Sequence, residues 1–87
     1  MGKNILAIDD EIFIRELVQD FLEIEGMGCE IAANLEEALN VFKKNSFDLI
    51  LLDRNLEDKL VEDVINALRK IQNNIPIIIY LCMTFLS

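Results

Sequence analysis

The chain has 87 residues, 53% of them apolar, a net charge of −8 and no histidine. That length holds one small domain, spanning residues 1–87, which buries only about 60–65% of the surface its unfolded chain exposes. The apolar content excludes a disordered segment, and the acidic balance disfavours nucleic acid and anionic membranes, which need a basic footprint. It suits a cation, or a partner with a basic or apolar docking face.

The first apolar run, Ile5 to Ile8, is too short for a signal peptide and ends in acids. The longest, Ile75 to Leu86, holds 12 residues including Pro76 and Thr84, short of the roughly 20 needed to span a bilayer. A cytoplasmic protein is expected. Cys29 and Cys82 have no metal or redox spacing and read as free thiols.

In chain order, Asn4 to Ile8 is a continuous apolar run, the mark of a strand covered on both faces. Asp9-Asp10-Glu11 stops it. Ile14, Leu17, Val18, Phe21 and Leu22 then follow the spacing of a helix with one buried stripe, closed by Gly26 and Gly28. Gly28 to Ala33 forms a second strand. Asn34 caps the next helix with Glu37 three residues on, and Leu35, Ala38, Leu39 and Phe42 are its buried side. Asp48 to Leu52 is a third strand, delivering Asp53 at its end. Val61, Val64, Ile65 and Leu68 line a third helix, and Pro76 to Cys82 reads as a fourth strand.

This βαβαβαβ order predicts a parallel sheet with helices on both faces, because such crossovers are right-handed almost without exception. Glycine-rich phosphate loops are absent: the first strand leads into Asp-Asp-Glu, with neither GxGxxG nor a Walker pattern. Ligands of parallel sheets sit outside the carboxyl ends of the strands. Asp9 and Asp10 lie at one such end and Asp53 at another. If the first and third strands are neighbours, three carboxylates converge. Two such charges about 4 Å apart repel by roughly 4 kcal/mol at an effective dielectric near 20. A cation or a raised pKa must relieve that, and hard oxygen ligands suit Mg2+. The bland alternative is that the first acids start a helix and Asp53 caps a turn.

The stretches "ILAIDDE", "AANLEEAL" and "FDLILLD", followed by "IPIII", resemble the receiver domain of two-component response regulators, from Lys3 to about Cys82. The resemblance implies a flavodoxin-like, doubly wound α/β fold with strand order 2-1-3-4, lacking here the fifth strand and last two helices. It implies Asp53 as phosphoacceptor. Mg2+ would be held by Asp10 directly, by Asp9 mainly through water, by Asp53 and by the backbone carbonyl of Asn55. The phosphodonor would be a sensor histidine kinase or phosphotransfer protein. Turnover of a separate substrate is not expected.

Three departures stand out. Where the family carries Pro and Gly after its acceptor, this chain has Glu57 and Val61, with Asp58 and Lys59 nearby. The Ser or Thr expected five residues after Pro76 is Leu81, and Thr84 falls three residues later. The lysine of the fifth strand has no counterpart, leaving Lys59 as the nearest candidate surrogate. Without a fifth strand, the fourth becomes an apolar edge, so a homodimer through Ile77 to Leu86 is predicted. Two further readings are a degenerate receiver acting as a phosphorylation-independent interaction module, and an inactive fragment whose ending "LCMTFLS" comes from a shifted reading frame after about Tyr80. Cys29 and Cys82 are expected on opposite sides of the sheet, too far apart to pair.

Overall fold

The computed structural model describes residues 2–56 and 59–81. Strands β1 (Asn4–Ile8), β2 (Gly28–Ala32), β3 (Leu49–Asp53) and β4 (Ile77–Tyr80) alternate with helices α1 (Ile12–Ile24), α2 (Leu35–Lys44) and α3 (Val61–Ile71). The strands form one parallel sheet in the order β2-β1-β3-β4, as the resemblance implied. β1 and β3 are therefore neighbours, and β2 and β4 are the outer two of the described strands. Cys29 lies on one of these; Cys82 lies outside the described residues, as do Glu57, Asp58, Met83, Thr84, Phe85 and Leu86.

Local chemistry sets the helix ends. Asn34 Oδ1 accepts the Glu37 N–H at 2.9 Å, and Glu37 Oε1 reaches back to the Ala33 N–H at 2.8 Å. Two donors that the helix leaves unpaired are thereby satisfied. α1 closes with the Gly26 N–H on the Glu23 carbonyl and the Met27 N–H on the Leu22 carbonyl. That closure needs a left-handed residue, and Gly26 supplies it at φ 81°.

Alternation along the strands divides the core. Leu6, Ile8, Ile50 and Leu52 pack with Ala38 and Phe42 of α2 and Val64 and Leu68 of α3, all buried. Ile5 and Ala7 are also buried, but point to the other face, where α1 lies over β1 and β2.

Here the sequence reading needs correction. Of the stripe expected to be buried on α1, only Leu22 is; Ile14 and Val18 are half-buried, and Leu17 and Phe21 are 65% and 59% exposed. α1 is the one described helix on its face, so it has a sheet beneath it but no helical neighbour beside it. β2 ends one residue early, at Ala32. β3, expected from Asp48 to Leu52, starts and ends one residue later and includes Asp53, because the Arg54 N–H bonds the Tyr80 carbonyl at 2.8 Å and extends the ladder. β4 is assigned from Ile77 to Tyr80; Leu81 follows it, exposed.

Candidate functional site

At the carboxyl rim of the sheet, register aligns the acids. Ile8 of β1 is paired with Leu52 of β3, and Asp53 with Tyr80 of β4. One step beyond Ile8, Asp9 enters the same row as Asp53 and Tyr80. Both acids are buried, Asp9 completely and Asp53 to 3% exposure. Asp10 is half-buried at the start of the loop into α1. One carboxylate oxygen from each of Asp9, Asp10 and Asp53 lies within 4.8 Å of the others.

Each buried acid is held by backbone donors two residues on. The Glu11 N–H donates to Asp9 Oδ1 at 2.8 Å, and the Asn55 N–H donates to Asp53 Oδ1 at 3.1 Å. These tight turns follow from strands that end in aspartate, whose side chain readily bonds the chain just ahead of it. Asn55 thus stands beside the acids. The Asp53 pKa is raised above its usual 3.8, first by burial. The Asn55 N–H pulls it down, while the charges of Asp9 and Asp10 and contact with the Asp9 side chain push it up. Burial and like charge both oppose ionisation, and a cation among the three groups would relieve both.

Two groups at the rim escaped the sequence reading. The Tyr80 hydroxyl donates to Asp9 Oδ2 at 2.5 Å, between residues 71 positions apart in the chain. The Arg15 Nη1 donates to the Asp9 backbone carbonyl at 3.0 Å. Neither belongs to a motif. Register from Pro76 would have put Tyr80 level with Asp53, and one helical turn from Glu11 would have put Arg15 above the rim. Lys59 is exposed and lines surface clefts beside Asn55 and beside Glu36. Leu81, at the position where the family carries a hydroxyl, has no donor on its side chain.

The family described as response regulator receiver domain matches residues 5–83. The chain belongs to that family. Receiver domains of known structure superpose closely on it. The chemotaxis response regulator CheY4 of Vibrio cholerae, crystallised at low pH, gives a TM-score of 0.89 at 31% identity, covering 98% of this chain and 72% of that one. A receiver domain protein from Methanospirillum hungatei gives 0.87 at 29% identity, covering 99% and 69%. Among curated receivers, a probable transcriptional regulator ycf27 of Cyanidium caldarium is 39% identical over 75 residues, 86% of this chain and 30% of that protein. The sporulation initiation phosphotransferase F of Bacillus subtilis is 33% identical over 79 residues, 91% of this chain and 64% of that one. This receiver chain therefore spans about a third of the length of the ycf27 regulators and just under two thirds of the phosphotransferase. A receiver is a signalling module of two-component systems rather than a classical enzyme. Among the described residues no helix is long and apolar enough to cross a membrane.

Proposed function

We propose that residues 1–87 act as a phosphoacceptor unit in the cytoplasm, with Asp53 receiving a phosphoryl group from a sensor histidine kinase or phosphotransfer protein. The observation that supports this best is the convergence of Asp9, Asp10 and Asp53 at the carboxyl rim of a receiver fold. Three hard oxygen donors in a half-enclosed anionic site fit Mg2+, with waters completing its shell. Asp10, Asp53 and the Asn55 carbonyl would hold it directly, and Asp9 mainly through water. When bound, the cation neutralises charge on the acids and on the incoming phosphoryl oxygens.

The chain's own residues do the rest. β3 is a rigid arm that holds the Asp53 carboxylate at the rim, and the Asn55 N–H fixes Oδ1, leaving the other oxygen to attack phosphorus. The bond to the donor nitrogen breaks, its electron pair leaves on the imidazole, and an acyl phosphate forms on Asp53. Attack of water at phosphorus later returns the carboxylate and inorganic phosphate. The test is intact mass after incubation with Mg2+ and acetyl phosphate. One added phosphoryl group is expected in the wild type and none in Asp53→Asn; an adduct retained in Asp53→Asn, or missing from the wild type, rejects the assignment.

A second reading rests on β4. Ile78 and Ile79 on β4, the outermost described strand of the sheet, and Leu81 just after it are exposed. An apolar edge of this kind pairs readily with another strand. A second copy joining there would make a homodimer that works by contact, independently of phosphorylation. Molecular mass across a dilution series checks it: a monomer at every concentration removes the second reading and leaves the first intact.

A further inference from the structure

Tyr80 is the one tyrosine of the chain, which has no tryptophan. Adjacent strands stand about 4.8 Å apart, so β1 and β4 are separated by roughly 10 Å across β3. A serine or threonine hydroxyl on β4 could not cover that span. A phenol can, and the Tyr80 hydroxyl passes over the end of β3 to meet Asp9 Oδ2. The Tyr80 backbone is itself tied down, its carbonyl accepting the Arg54 N–H at 2.8 Å and its position registered against Asp53. The phenol is therefore anchored on the strand that flanks the acceptor and aimed at the fully buried acid on the opposite side of it.

We propose that Tyr80 is a positioning residue of the acidic site, clamping the Asp9 carboxylate in the orientation that receives a divalent cation and linking that cation to edge strand β4. The proposal rests on the phosphoacceptor reading above. A carboxylate has about four acceptor positions, two on each oxygen. The Glu11 N–H takes one on Oδ1 and the Tyr80 hydroxyl one on Oδ2. The Asp53 side chain also meets this carboxylate, and of the four positions at least one stays open to the cation or its water, so the clamp and the ion are compatible. With donors on both oxygens the carboxylate cannot rotate freely. Without the phenol, ordering that rotation falls to the ion, at the expense of affinity.

The experiment compares Mg2+ binding by calorimetry in the wild type and in Tyr80→Phe, which keeps the ring and removes only the hydroxyl. Binding is expected to weaken roughly three- to tenfold, the scale of one net hydrogen bond. Circular dichroism confirms that the variant is folded. A second measurement uses the wild type alone. A phenol that donates to a carboxylate is quenched by that oxygen's pull on its proton; a cation on Asp9 weakens the pull while the bond is kept, so Tyr80 emission should rise as Mg2+ binds, with the calorimetric midpoint. Equal affinity in the two proteins, or Mg2+ binding with no change in Tyr80 emission, overturns the clamp while leaving the phosphoacceptor reading untouched. A wild type that binds no Mg2+ overturns both.

Discussion

On the face of the sheet covered by α2 and α3, Leu6, Ile8, Ile50 and Leu52 meet Val64 and Leu68, and all six are fully enclosed. On the opposite face α1 lies over β1 and β2, yet Phe13, Leu17, Phe21 and Ile24 stand open to solvent along it, Phe13 and Ile24 at 78% and 80%. Both regions are apolar and both are helix on sheet. They differ in that α2 and α3 also contact each other, so the side chains of both helices on the closed face pack on the sheet with a second helix alongside. Burial of a helix stripe is thus decided by how many neighbours a face has. Apolarity alone marks only which side prefers to be covered.

The largest expected contrast is between core truncations on the two faces. Ile50→Ala should lower the unfolding free energy by about 2–5 kcal/mol, because the cavity lies in a closed layer. Leu17→Ala should change it by about 0.5 kcal/mol or less. Denaturant unfolding of both variants checks this. A Leu17 effect as large as that of Ile50 would mean that the α1 face is covered in solution, and the mass would then rise with concentration.

The helix starts sharpen the comparison. Asn34 caps α2 with its side chain, whereas Glu11 makes no side-chain cap on α1. Asn34→Ala should cost about 1 kcal/mol, and Glu11→Ala, which leaves its backbone N–H to Asp9 in place, only a few tenths. A loss at Glu11 equal to that at Asn34 would show that its side chain braces the acid rim.

The rim itself yields a smaller, pH-dependent contrast. The folded Asp53 binds its proton more tightly than the unfolded chain does, since its pKa is raised above 3.8. Stability from that proton is fully present below the unfolded value and is lost as pH rises through the folded one. Metal-free unfolding followed upward from acid pH should therefore show a decline that Asp53→Asn flattens. An identical pH profile in the two proteins would mean that Asp53 is not held against its neighbours' charges.

Much of this was legible in the residues. The short apolar run at Asn4 to Ile8, the Asn34 and Glu37 cap, the Gly26 stop and the stripe of Val64 and Leu68 are all set by neighbours a few positions away. Strand-end aspartates likewise announce a site, because an acid directly after a buried run has few other reasons to be there. The α1 stripe misled because period 3.6 reports which side of a helix is apolar, with no information about whether a second helix stands beside it. The family's spacing points to Leu81 for a hydroxyl, while among the described residues Tyr80, one residue earlier, reaches the acids with one.

Taken alone, the sequence determined the seven elements, their parallel arrangement and the identity of the acids, since periodicity, caps and strand ends are written over stretches of a dozen residues or fewer. Tertiary structure decided which α1 residues stay exposed, that Asp53 closes β3 from within the strand, and that Tyr80 reaches Asp9. Those outcomes depend on register and coverage between segments as far as 71 positions apart, and no local pattern carries the distance between two strands.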